Sequence, residues 1–243
     1  MMKKQIMLLA VLAIAVVQFW GCDDENIWGQ IKGSGDIVEI DYNFTDFTRL
    51  DISHAFNLTV RSADSFYVKI YIDDNLSKYL DVHKSGEWLN IGMDGDHNYT
   101  NTHITAVVHM PNITYLKGSG ATDIEMSGFD SESDFRLELS GASVFSADLS
   151  ANNCEMYLSG ASEINLTGTC NDLMLEGSGA SDLNMSNFVV ADGYFELSGA
   201  SDGTIHVTDH LDVILSGASE LRYYGNPALG NIEISGASSL IRL

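Results

Sequence analysis

The feature that most constrains the fold is a repeat. Leu-Ser-Gly-Ala-Ser stands at residues 139–143, 158–162, 197–201 and 215–219, with close variants at 118–122, 177–181 and 234–238. The leading serines are Ser119, Ser140, Ser159, Ser178, Ser198, Ser216 and Ser235, separated by 21, 19, 19, 20, 18 and 19 residues. A near-constant period of this length marks a solenoid, in which each unit buries its apolar side by stacking on its neighbours.

The residues flanking each motif decide between helix and strand. One, three and five positions before the serine stand Leu139, Leu137 and Phe135, then Leu158, Met156 and Cys154, then Leu215, Val213 and Leu211. Mostly polar residues intervene, among them Arg136, Glu138, Glu155, Tyr157, Tyr194 and Glu196. After the serine, positions +5 and +7 are again apolar, as in Ile124 and Met126 or Ile164 and Leu166. Alternation with a period of two is the pattern of a strand. Each unit therefore reads as strand, corner, strand and loop, with Ser150–Asn153 and Thr169–Asp172 as loops. The expected fold is all-β, a single-stranded parallel β-helix with coils of about 19 residues. Coils stacked about 4.8 Å apart would give a column roughly 29 Å tall between first and last corners.

The corner chemistry explains why the motif repeats. The glycines Gly120, Gly141, Gly160, Gly179, Gly199, Gly217 and Gly236 supply backbone angles other residues resist. The small alanine fits a tight bend, and the serines can bond backbone at the bend or the next coil. A hydrolytic serine needs a base and an orienting group of its own, which seven equivalent serines cannot each possess. The serines are therefore read as structural.

The chain opens with Lys3 and Lys4, an apolar run through Val17, and Phe19-Trp20-Gly21-Cys22. The run is short for a permanent span and suits a cleaved leader. Gly21-Cys22 resembles a lipobox, which implies cleavage after Gly21 and a lipid anchor on Cys22. Asp23, Asp24 and Glu25 follow at once and resemble a surface-export signal of some Gram-negative lipoproteins. The expected organisation is a signal peptide over 1–21, an acidic tether over 22–35, an N-terminal strand region over 36–117 with a degenerate first coil and longer strands that cap it, and the regular array over 118–243. The localisation expected is the outer membrane, displayed at the cell surface, with a periplasm-facing orientation as the alternative.

Formal net charge is −22, from 12 basic and 34 acidic side chains. Such a surface repels nucleic acid and anionic lipid and opposes self-association. The expected partners are the membrane through Cys22 and a glycan or protein ligand, with the domain a monomer. No cofactor is expected. Glu138, Glu155, Glu176, Glu196 and Glu233 are read as one outward acidic column whose members repel and raise some pKa values. Cys154 should face the core and Cys170 a loop, a difference in depth that predicts two free thiols. His97, His103, His109, His206 and His210 lack a convincing ligand spacing, and Asp94-Gly-Asp96-His-Asn98 is only a fragment of a calcium loop.

Several segments together carry a family resemblance. Phe47-Thr-Arg-Leu-Asp-Ile-Ser-His-Ala-Phe opens the domain, followed by Tyr67-Val-Lys-Ile, Asp74-Asn-Leu, Trp88-Leu-Asn-Ile-Gly and Val108-His-Met-Pro-Asn-Ile-Thr-Tyr-Leu ahead of the first Ser-Gly-Ala. The chain resembles the auto-transporter adhesin head domain, or GIN domain, from about Phe47 to Leu243. The resemblance implies a right-handed parallel β-helix on a bacterial surface and little defined chemistry. His54 stands where the family has glycine, so the first corner is expected to be distorted. The functional expectation is a non-catalytic envelope lipoprotein acting as a surface-binding module. The alternatives are a carbohydrate-active β-helix enzyme and a purely structural assembly module.

Overall fold

The computed structural model describes residues 30–130 and 133–243. The leader, Cys22 and the acidic triplet Asp23, Asp24 and Glu25 lie outside the described residues. Among those described, no helix is long and apolar enough to cross a membrane.

The repeats form a β-solenoid. Strands Val144–Leu158, Glu163–Gly177, Asp182–Leu197 and Asp202–Leu215 each run from one corner to the next and pair in parallel with the coil before and after. The segments expected as loops stay in the ladder: Ser150 pairs with Thr169, Ala151 with Cys170 and Asn153 with Asp172. The chain bends there without leaving the sheet, because the neighbouring coils supply backbone partners that a free loop would seek from water. Cys170 accordingly faces inward and is 3% exposed, while Cys154 is 1% exposed. Both thiols are free, but not through different depth. Cys170 Sγ lies 3.1 Å from the Asp172 carbonyl oxygen and 3.5 Å from that of Asn152, beside Cys154. Burial and the neighbouring thiol push the Cys154 pKa upward, the contact with Cys170 being the larger cause.

At each corner the glycine takes positive φ, between +71° and +92° over the seven motifs. A Cβ on Gly160 would also overlap the Gly141 carbonyl oxygen of the coil beneath. That carbonyl accepts the Ala161 N–H at 2.7 Å, and the same Ala-to-Gly bond recurs up the stack. The two serines of the motif differ. The second is buried, as in Ser143, Ser162, Ser181, Ser201 and Ser219, with Thr122 in the first motif. Ser162 Oγ donates to the Ser159 carbonyl at 2.9 Å, closing the bend. The leading serines point outward, and Ser159 Oγ reaches the Leu139 carbonyl only at 3.4 Å.

The N-terminal region departs from this order. Arg49–Ile52 and Asn57–Ser62 form a coil directly beneath Tyr115–Gly118 and Asp123–Asp130. Beneath that coil, also in parallel, lie Trp88–Met93 and Ile104–Met110, which come later in the chain. Antiparallel strands Tyr67–Asp73 and Leu80–Ser85 continue the ladder below these two, and Ile37–Tyr42 pairs with Tyr67–Asp73, so that the three cap this end of the stack. Asp73, fully buried, holds this junction by accepting from the Gly35 and His103 amides at 2.6 and 2.7 Å. The corner at His54 is kept rather than distorted. His54 adopts φ +69°, and its Nδ1 accepts the Met93 N–H at 3.3 Å and lies 2.9 Å from Ser53 Oγ. These bonds offset the cost of a non-glycine residue in the left-handed region. One apolar core runs from Phe47 through Phe145, Phe188 and Phe195 to Leu221.

Candidate binding groove

Because side chains alternate, one sheet turns two columns of outward residues to solvent. Following the register, the first runs Trp88, Arg49, Tyr115, Arg136, Glu155, Met174, Tyr194 and Asp212. The second runs Asn90, Asp51, Lys117, Glu138, Tyr157, Glu176, Glu196, Ile214 and Glu233. The expected single acidic column is therefore corrected in two ways. Tyr157 occupies the place given to Glu155, which belongs to the neighbouring column, and the acids are interrupted by Tyr157 and Ile214.

Beside the second column, the leading serines Ser119, Ser140, Ser159, Ser178 and Ser198 form a wall. Between them lies a groove of about 540 Å³ whose floor includes Lys117, Glu138, Tyr157, Glu176 and Glu196. Serines singled out for the corners thus also line a continuous surface feature. Ser216 and Ser235 continue the ladder beyond it.

At the groove's N-terminal end the repeat gives way to a basic and aromatic cluster. The Trp88 and Tyr115 rings lie 4.8 Å apart. Lys117 sits 5.3 Å and 5.2 Å from their centroids, and Arg49 5.8 Å from Trp88. Arg136 lies 5.2 Å from the Tyr115 ring and 4.6 Å from that of Tyr157. Glu138 gathers these groups: Arg136 donates to it at 2.7 Å, Lys117 approaches to 3.4 Å, and the Tyr115 hydroxyl donates to it as well. Arg136 also pairs with Glu155 at 3.0 Å.

The electrostatics follow from this packing. Burial would raise the Glu138 pKa, but bonds from Tyr115 and Arg136 and the charge of Lys117 outweigh it and hold the carboxyl below its ordinary value. Bonding to Glu138 raises the Arg136 pKa against the effect of burial. Burial, and then the bond to Glu138, raise Tyr115. Asp51 is raised chiefly by burial, with Lys117 opposing. Farther along, Tyr194 donates to Glu196 at 2.8 Å and is pushed up to about 12, mainly by that bond. The Glu138 charge adds to the rise at Asp51, and a second raised acid lies elsewhere in the array. Asp182, between Glu163 and Asp202, is raised by burial and then by those two charges.

The family model for the putative auto-transporter adhesin, head GIN domain, matches residues 46–227. The chain belongs to this family. No curated protein matches it. Solved structures similar to this GIN-domain chain share its fold at low identity. A putative adhesin from Bacteroides fragilis is 17% identical with a TM-score of 0.82, covering 88% of this chain and 100% of its own. A putative adhesin from Parabacteroides merdae is 17% identical with a TM-score of 0.67, over 88% and 99%. A protein from Parabacteroides distasonis described as a putative lipid binding protein is 16% identical with a TM-score of 0.72, over 88% and 99%.

Other chemistry in the GIN-domain chain is sparse. Among the described residues, no group of three or more His, Cys, Asp or Glu is placed to hold a metal ion. His97 lies 3.9 Å from Asp94, and His210 3.2 Å from Asp212, as isolated pairs. The Ser53–His54 contact is a serine beside an imidazole, but His54 Nδ1 is already engaged by the Met93 amide. Sequence reading missed the groove because its parts lie in segments far apart in the chain. The usable signal was Lys117 and Arg136 beside acids on otherwise acidic strands.

Proposed function

We propose that this protein is a lipid-anchored, non-catalytic binding module of the bacterial cell envelope, working as an adhesin and meeting its ligand at the groove beside the serine ladder. The observation that carries the reading is the basic and aromatic cluster around Glu138, which opens onto a groove on an otherwise repetitive face. Rigid aromatics and arginine held in place are the side chains that concentrate binding energy. The adhesin-type family supports an envelope location, and Gly21-Cys22 supports a lipid anchor. Display at the cell surface is the favoured orientation. The acidic surface favours a monomer that does not bind nucleic acid. The seven leading serines repeat one corner position with no imidazole base beside any of them among the described residues, which favours recognition over a nucleophilic reaction.

The test has two arms in the producing bacterium. Cys22→Ser should release the protein from the membrane fraction, because acylation supplies the anchor. Protease applied to intact cells should degrade the wild type, and Tyr157→Ala should reduce attachment of cells to their substratum. A membrane-bound Cys22→Ser protein, or attachment unaffected by Tyr157→Ala, counts against the proposal.

A further inference from the structure

Resting on that binding reading, we infer that the groove takes an extended neutral glycan, a chain of hexopyranose units lying along the stacking direction and across the strands. The groove runs from Ser119 to Ser198, five corners and four intervals, or ~19 Å at the spacing of stacked strands. Along it the protein offers an outward serine hydroxyl at every coil, with a carboxylate opposite at Glu138, Glu176 and Glu196 and a phenol at Tyr157. An extended β-1,4-linked pyranose chain advances by nearly the same distance per unit as the coils do, so successive sugars stay in step with successive coils. Each sugar carries hydroxyls that donate to carboxylates and accept from serines.

The side chains are prepared unevenly for such a ligand. Glu138 is already satisfied by Arg136, Lys117 and Tyr115, and its role is to hold the cluster. Glu176 has no hydrogen bond or ion pair among the described residues, and Glu196 accepts only from Tyr194. These two are the free acceptors. Tyr157 stands between Glu138 and Glu176, its ring held by Arg136 at 4.6 Å. It provides a flat, partly apolar surface at little ordering cost.

The same features disfavour other occupants. Lys117, which lines the groove, and Arg136 in the neighbouring column are both paired with Glu138, so a polyanion would meet uncompensated Glu176 and Glu196. An extended peptide joins a sheet by pairing with a free edge. The strands beneath this groove, such as Phe135–Leu139, are already paired on both sides.

The full chain in detergent should be titrated calorimetrically with neutral gluco- and manno-oligosaccharides of increasing length, and with polygalacturonate as the anionic control. Affinity should rise with length and level off near the ~19 Å span. Tyr157→Ala and Glu176→Gln should each weaken binding at least about tenfold, a loss of ~1.4 kcal/mol. Asn184→Ala, on the other face, should leave it unchanged. Near-UV circular dichroism establishes that the variants are folded. Binding of the polyanion alone, binding of no neutral glycan, or neutral-glycan binding indifferent to both groove variants overturns the inference. If the glycans fail but Tyr157→Ala and Glu176→Gln still reduce cell attachment, the ligand class is wrong and the binding-module reading stands. If attachment is also unchanged, both fall.

Discussion

The regular array and the N-terminal region share one core but are built by opposite rules. In the array, each coil rests on its predecessor in the chain, and each position is set by the column it joins. Gly160 sits on Gly141 and under Gly179, and Ala161 donates to Gly141 as Ala180 donates to Gly160. In the N-terminal region, the coil made by Trp88–Met93 and Ile104–Met110 lies beneath the coil made by the earlier residues Arg49–Ser62. Antiparallel strands cap that coil, and in the coil above it a histidine takes the glycine's place. Repetition makes a rigid, nearly featureless face. At one end of that face the irregular region adds Trp88 and Arg49 beneath Tyr115, next to the array's own Arg136 and Tyr157.

The sharpest way to break the comparison is at the corner glycine. Gly160→Val forces a β-branched residue into φ +81° and drives its Cβ into the Gly141 carbonyl. Denaturant unfolding should show a loss of more than about 3 kcal/mol. His54→Gly, the corresponding change in the irregular coil, should alter stability by no more than about 1 kcal/mol, because relief of backbone strain and loss of two imidazole bonds oppose each other. Equal costs at the two corners would mean that stacking of neighbouring glycines does not separate the two regions.

A smaller difference is expected between the two serines of one motif. Ser162→Ala removes a buried hydroxyl that closes its bend and should cost about 1–2 kcal/mol. Ser159→Ala changes an exposed residue with one long contact and should cost under about 0.5 kcal/mol. A larger cost at Ser159 would make the outward ladder structural and weaken its place in the groove.

The smallest effects are in the pH dependence, where two acids of the array, Glu138 at its junction with the N-terminal region and Asp182 farther along, should differ in sign. The Glu138 pKa lies below its value in the unfolded chain, near 4.5, so its contribution is complete above that pH and fades as pH falls through the folded value. Glu138→Gln should flatten that acid loss of stability. The Asp182 pKa lies above its unfolded value near 3.8, so the folded state gains relative stability on acidification and loses it as pH rises through the folded value. Asp182→Asn should therefore stabilise slightly at neutral pH. Chemical denaturation from pH 3 to 7, a range chosen around these ordinary carboxylate values, checks both. Slopes of the same sign would remove the distinction between a neutralised junction acid and stacked acids in the array.

Much of the architecture was legible because a repeat states the same local rule many times. The period-two alternation before Ser140 and Ser159, and the glycine after each serine, specify strand, inward face and corner without knowledge of any partner. The degenerate first coil expected within 36–117 has its counterpart in Arg49–Ile52 and Asn57–Ser62. The loops expected at Ser150–Asn153 and Thr169–Asp172 failed because polar sequence signals a turn when alone, while stacked coils supply ladder partners that keep such residues in a strand. The depth of Cys170 was misread for the same reason.

The sequence by itself determined that this protein stacks strands into a solenoid, because side-chain alternation and glycine dihedral freedom are local properties of the chain. Only the tertiary structure decided which coil lies under which, that His54 can take a glycine's corner, and that Trp88, Tyr115, Arg136 and Tyr157 share one face. Those outcomes depend on contacts between residues tens of positions apart, on hydrogen bonds such as Met93 to His54, and on the register that seats Tyr157 between Glu138 and Glu176. Pairing across coils places residues by register rather than by sequence distance, and no short stretch of the chain records that register.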